Sequence, residues 1–390
     1  MTKELEDDLG RVIGRAAESA PRAPSHFSAH IARTSRRRRT RTLAVATALA
    51  VAVVAGGVTA AVRDLGEDRP QIAVNPPATT APDPVEKVWP DAVWKIPAKL
   101  LAGRKPRPIM FVDDRTLLVE TWESFEKAGA LYAYDLETRQ IRKITDIRTP
   151  KGVYASGYTV GAGQVIWTTI EKRSTRFWSA PLEGGQPRAI TTDDPIAGST
   201  DQTAVTGDKL AFSLTGGGVF TVPLAGGGVT PVAGADRHHI LRWPWVGTPG
   251  EHTQGDEPAF EELLNAETGE TSRAVVHPGE QLVRCGVTTC AGLRADDSPF
   301  YRLRDGSQER GLGQPGISGV ALDRFTTALL TGPTRVQTLV DLTTGKSGDL
   351  GLRPDAKGQM TAVQLGVTEV PTVVYRLGDQ FVVIDLTRIR

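Results

Sequence analysis

One short pattern returns seven times along this chain and limits what it can fold into. A β-type run ends on a marker residue, a leucine follows, and a turn comes next. The markers are Asp135, Pro181, Pro223, Asn265, Arg302, Asp341 and Asp385, spaced by 46, 42, 42, 37, 39 and 44 residues. The next position is leucine in six of the seven units and Ala266 in the fourth. Four residues after the marker stands Gly185, Gly227, Gly269, Gly306 or Gly345, while Arg139 and Ile389 break the rule in the first and last units. A hairpin loop of three to five residues usually needs one residue at positive φ, and glycine takes it without steric cost. The leucine is an apolar peg where the strand leaves the core. The runs "LYAY", "FWSA", "VFTV", "PFYR", "TLV" and "FVVI" lead into the turns, and further pairs such as "IMFV" with "TLLVET" precede them. The count is about four strands per unit, and no 3.6-residue periodicity is sustained after residue 100.

Seven four-stranded units in 390 residues predict an all-β fold, a seven-bladed β-propeller over 87–390. One such sheet cannot cover both of its faces, but stacking in a ring covers them and leaves only short edges. A linear solenoid would use much shorter coils, and two sandwiches would not give seven evenly spaced copies. The last unit stops at "FVVIDLTRIR", one strand short, and "KVWPDAVWKIPAKL" before the first unit has no sheet of its own. That segment is expected to supply the missing outer strand of the last blade, with Trp89 and Trp94 at the seam. The alternative is that the two tryptophans only cover the blade surface near the spacer.

The units resemble the WD40-like, TolB-type propeller repeat, on "YAYDLET", "LNAETGE" and "VDLTTGK". The Ser-Pro-Asp-Gly turn of that family is replaced here by "VDDR", "VTGD" and "ALDR". The overall plan is similar to single-pass, propeller-bearing proteins of the actinobacterial envelope. The resemblance implies a fold and leaves function open, because propellers host enzymes, scaffolds and binding modules alike.

The plan also includes a membrane segment. Residues 43–62, "LAVATALAVAVVAGGVTAAV", carry no charge and would form about 30 Å of helix, the thickness of a bilayer core. Six arginines lie between Arg33 and Arg41, and no positive excess follows the segment. The positive-inside rule then places 1–42 in the cytoplasm and the propeller outside. A cleaved signal peptide would suit the small residues Thr59, Ala60 and Ala61, but the apolar run and the leader are long for one. No cysteine adjoins the segment's end, so a lipid-modified leader is excluded. The tail carries a short amphipathic helix through Leu5, Leu9, Val12, Ile13 and Ala16, and then the basic run. Residues 63–86, rich in proline, alanine and threonine, read as an extended spacer.

A net charge of +1 gives no sign of a nucleic-acid partner. Cys285 and Cys290 flank a Gly-Val-Thr-Thr turn and read as a structural disulfide in an oxidising compartment, with free thiols as the alternative. His238, His239, His252, Asp256 and Glu257 fall in one unit. Entry to a blade's first strand and the loop joining its second and third strands lie on one face, so these five can share a binding rim. A long solvated loop with incidental histidines is the alternative. Trp243 and Trp245 read as blade packing sooner than as a ligand platform. The charged loops "WESFEKAG" and "IEKRSTRF" extend the candidate rim.

No Gly-x-Ser-x-Gly, P-loop, dinucleotide or His-Glu-x-x-His pattern is present, and the glycine runs "TGGGVF" and "LAGGGV" read as hairpin turns. The expectation is a non-catalytic module without cofactor that binds an envelope ligand or protein partner. One rival is an extracytoplasmic hydrolase or lyase at the central opening. The other is a regulator that holds a transcription factor through residues 1–42.

Overall fold

The computed structural model describes residues 82–390, except 102–103, 125–126, 148, 173, 252–256, 313–318, 331–334 and 368–370. The tail, the apolar segment 43–62 and the spacer up to residue 81 lie outside the described residues, as do His252 and Asp256. Among the described residues no helix is long and apolar enough to cross a membrane.

The described chain is a seven-bladed β-propeller built from antiparallel sheets. Blade 1 runs through Lys105–Phe111, Thr116–Ser124, Lys127–Asp135 and Ile141–Asp146. Blade 2 has Tyr154–Gly161, Gln164–Glu171 and Ser174–Pro181, with a broken outer edge of Arg188–Ile190 and Ile196–Ala197. Blade 3 is Thr200–Thr206, Lys209–Leu214, Val219–Pro223 and Thr230–Pro231. Blade 4 is His239–Arg242, Trp245–Thr248, Glu262–Asn265 and Thr271–Arg273. Blade 5 is Gln281–Cys285, Thr289–Leu293, Pro299–Leu303 and Arg310–Gly311. Blades 6 and 7 show three strands each among the described residues.

Burial follows this plan. The first strands of blades 2, 3 and 4 lie against one another, as the narrow ends of wedges must. Neither of the first two carries a fully buried residue. The second strands, covered on both faces by neighbouring sheets, are buried in unbroken runs: Leu117 to Val119, Val165 to Trp167, and Leu210 to Phe212. Continuous apolar runs of this kind mark strands that face no solvent.

The markers prove to be turn caps. Asp135 Oδ1 accepts the amides of Glu137 and Thr138, and Asn265 Oδ1 accepts those of Glu267 and Thr268. Asp341 and Asp385 do the same for Thr343 and Thr387. A side-chain oxygen that mimics a backbone acceptor explains Asp and Asn at this place. The following amide ties back to the turn before the second strand, as in Leu136 to Arg115 O and Leu342 to Arg324 O. Arg139 takes φ 58° despite lacking glycine's freedom, and in blade 2 the left-handed residue is Gly184 (φ 106°) instead of the expected Gly185.

Blade 5 corrects the marker assignment. Thr289 faces Leu303, and the amide of Arg304 bonds to Thr288 O, so Leu303 holds the marker place that the sequence pattern gives to Arg302. Arg304 then occupies the peg position. Its guanidinium donates to the carbonyls of Phe260, Glu261 and Gly286, and burial lowers its pKa to about 10, which leaves it charged at neutral pH.

The ring closes where the sequence places the seam. Val93–Pro97 pairs antiparallel with Gln380–Asp385, Val93 opposite Ile384 and Pro97 opposite Gln380. The third strand of blade 7 thereby gains its outer neighbour. Trp94 lies 5.2 Å from the Phe111 ring at the seam with blade 1. Trp89 is at the seam too, in the apolar cluster that holds the paired Val93 and Ile384 and extends to Leu339 of blade 6. The one-turn helix Val85–Val88 lies against Ser347–Asp349 of blade 6, and Pro84 bridges to Asp349. Asp83–Glu86, which the sequence assigns to the spacer, therefore join a clasp over two blades.

Ile96 is 2% exposed in this seam. Ile96→Ala should cost roughly 2–5 kcal/mol and lower the urea midpoint. An unchanged midpoint would contradict the clasp.

Candidate functional site

The Cys285–Cys290 disulfide is present, fully buried, and joins directly opposed residues of the first two strands of blade 5. A loop this short contributes about 2 kcal/mol in the chain-entropy account. It fixes the strand that carries Arg284 beside the opening.

His239 opens the first strand of blade 4. Its Nδ1 lies 2.5 Å from Asp201 Oδ2 on the first strand of blade 3. The buried Ser213 hydroxyl donates to Asp201 Oδ1 and accepts the amide of Ile240. With a carboxylate as its neighbour, Nδ1 carries the proton. Asp201 thus receives hydrogen bonds from two blades and joins them beside the axis. Gly250, from the loop between the second and third strands of blade 4, abuts the His239 ring, since a Cβ there would stand 2.6 Å from Cδ2. Glu251 of the same loop accepts from Arg284 of blade 5 at 3.3 Å.

Of the expected rim, His238, His239 and Glu257 are among the described residues. Gly250 meets the His239 ring, and Glu257 is exposed. His238 is half-buried, its Nδ1 has no partner, and burial holds its imidazolium below the ordinary range, so it is neutral at neutral pH. His252 and Asp256 fall outside the described residues. Trp243 is a packing residue: its indole donates to Glu267 on the opposite turn.

Sequence reasoning missed Asp201, Ser213, Gly250 and Arg284. The available signal was the polar run Thr200 to Thr203, in a strand whose counterpart in blade 1 holds Ile109, Met110 and Phe111. A second polar group at the opening was missed too. Glu120, 2% exposed, accepts from Arg107 and from the Tyr158 hydroxyl of blade 2. Burial, with the Glu120 charge beside it, raises the Tyr158 pKa far above its ordinary value. Arg107 also stacks 4.6 Å from the Trp122 ring, and Tyr154, 42% exposed, begins the first strand of blade 2.

These groups have a limited chemistry. In a nucleophilic triad the histidine stands between serine and carboxylate. Here the carboxylate stands between them, and Ser213 has no exposure. Glu120 and Glu251 each have an arginine partner. Elsewhere, His277, Glu280 and Glu309 place ligand atoms within 4.8 Å of one another. Arg302, fully buried, already binds both carboxylates, and Arg294 binds Glu309 as well. A cation there would have to displace a guanidinium, so this cluster is an ion-pair network between strands.

No family model matches the chain, and no curated protein does. Solved structures are similar at low identity. YCF48 bound to D1 peptide has 10% identity and a TM-score of 0.44, covering 80% of this chain and 99% of that one. BamB from Moraxella catarrhalis has 10% identity and a TM-score of 0.34, covering 71% and 84%. The computationally designed Ika8 protein has 12% identity and a TM-score of 0.38, covering 72% and 82%.

Gly250→Ala should push the His239 ring off Asp201 and shift its imidazole NMR resonances. Unmoved resonances would contradict the contact. A second test uses pH. Burial raises the Glu280 pKa, but the hydrogen bonds from Arg302 and from the His277 amide outweigh it. The Arg294 hydrogen bond lowers that of Glu309. Both contribute stability that is full above the ordinary carboxyl range and lost as pH falls through their lowered values. Arg302→Met strands the Glu280 charge in its buried place, so stability at neutral pH should fall, and acid that neutralises Glu280 should return part of the loss instead of adding to it. Superimposable acid profiles would refute this.

Proposed function

We propose that this protein is a non-catalytic binding module, held outside the cell membrane by residues 43–62, that engages a protein partner or envelope ligand at the mouth of its propeller. The observation that carries this reading is the wiring of the opening. Asp201, His239, Ser213, Glu120, Arg107, Glu251 and Arg284 are each joined to a partner. No described nucleophile there has a free base beside it. Meanwhile the first strands of blades 2 and 3 keep half-exposed polar side chains beside the axis. Such an opening offers a rigid, pre-organised surface for hydrogen bonding and stacking.

Placement outside the membrane is supported by the arginine-flanked apolar segment and by the disulfide, which persists in oxidising compartments. The resemblance to TolB-type repeats and to single-pass propeller proteins of actinobacterial envelopes agrees with it. The spacer then holds the ring away from the bilayer, and the binding rim comprises His238, His239, His252, Asp256 and Glu257.

The test is made in intact cells with a photo-crosslinking residue at Glu257 or, as control, at Thr343 on the opposite face. The Glu257 position should give a discrete adduct that the Thr343 position lacks, and external protease acting on the spacer should release a soluble propeller. Matching adduct patterns from both positions would overturn the binding face. Resistance of the spacer to external protease would overturn the placement.

A further inference from the structure

Blade 2 is the one described blade whose outer edge is broken. Arg188–Ile190 pairs with Phe177 to Ser179, and Ile196–Ala197 pairs with Ser174 and Thr175. Between them the chain "TTDDP", residues 191–195, bulges away and ties to blade 3 instead: the Asp193 amide bonds to Gly227 O, and the Gly227 amide to Thr191 O. Beneath the bulge lies a cavity of about 200 Å³ between blades 2 and 3. Its walls include Ile196, Phe212, Leu214, Phe220 and Val229, and Asp194 is the one charged residue in its lining. Phe212 stacks on Phe220 and packs against the tilted ring of Phe177, at centroid distances of 5.5 and 4.8 Å. The cavity is therefore framed by rigid rings that leave it little room to collapse.

The mouth is acidic. Asp194 is exposed at the edge, and Asp193 reaches toward Gly228, next to Val229, where a Cβ would meet Asp193 Oδ2 at 3.4 Å. Among the described residues neither carboxylate has a cationic partner. Elsewhere on this molecule carboxylates at blade junctions are paired, as Asp201 is with His239 and Asp323 with Arg242. An apolar cavity of about 150 Å³ suffices for a benzene ring. An unpaired pair of carboxylates at the rim favours a cation beside that ring.

We propose that this cavity is an anchor site for an extended segment of a partner protein, taking one aromatic side chain between blades 2 and 3 while an adjacent lysine or arginine meets Asp193 and Asp194. Leu214 and Ser174 both border turns that join second and third strands, so the cavity opens on the same face as the channel mouth. None of its lining comes from a first strand, and the site stands whether or not the mouth binds anything.

The experiment uses the purified full chain in lipid nanodiscs and three capped dipeptide amides, Phe-Lys, Phe-Glu and Ser-Lys, read by saturation-transfer NMR. Phe-Lys should show transfer to its ring protons, and Ser-Lys none. Asp194→Lys should weaken Phe-Lys binding about fivefold, the effect of roughly 1 kcal/mol at an exposed charge pair. Val229→Trp fills the cavity and should abolish the signal. Ala197→Trp, at an exposed position of the lining, provides the same block if the first variant does not fold. No transfer to Phe-Lys, or transfer that survives a folded filled variant, would overturn the site. Equal binding of Phe-Glu and Phe-Lys would mark a bare hole for any small hydrophobe and would overturn the assignment to a basic-aromatic segment.

Discussion

The pairing of Val93–Pro97 with Gln380–Asp385 is the contact on which the rest of this structure depends. A propeller blade is stable only between two neighbours, and an open ring would leave two sheets with one bare face each. It would also leave the strand Gln380–Asp385 with unpaired backbone groups along one edge. Closure joins the two ends of the described chain through backbone hydrogen bonds. The Val85–Val88 turn and Trp89 then extend the clasp onto blade 6. Loop-closure entropy opposes this pairing only weakly, because that cost grows with the logarithm of length.

Once the ring is closed, the junctions between blades decide where polar chemistry can reside. Apolar contacts fill the second and third strands. Side-chain ion pairs and caps tie the ends of the strands together. Asp201 binds blade 3 to blade 4, Glu120 binds blade 1 to blade 2, and Arg304 binds the carbonyls of blade 4 to those of blade 5. Buried charges of this kind are tolerated because each is hydrogen-bonded on several sides. Among the described residues, the same wiring that stabilises the opening engages its carboxylates and its histidine, and the proposed binding role rests on that arrangement.

The fold was legible in the sequence because it rests on local regularities. Turn glycines, the leucine peg and the runs of β-type residues recur within each unit, and a missing last strand is visible as a count. The disulfide was legible for the same reason, since Cys285 and Cys290 lie on one hairpin. What escaped was set by contacts between units. Asp201 and His239 are 38 residues apart and meet only because adjacent first strands converge. The slip from Arg302 to Leu303 was hidden by a leucine that fits the pattern one place out of register; only the pairing of Thr289 shows it. Phe260 takes a positive φ and Gly250 yields to the His239 ring, and neither leaves a periodic trace.

Hydrogen exchange on the full chain tests the closure most directly. Amides of Val93–Pro97 and Gln380–Asp385 should be protected together, to the same degree as the second strands of blades 1 to 3. Rapid exchange of Val93–Pro97, with those second strands still protected, would show a ring that never closes and would contradict this account.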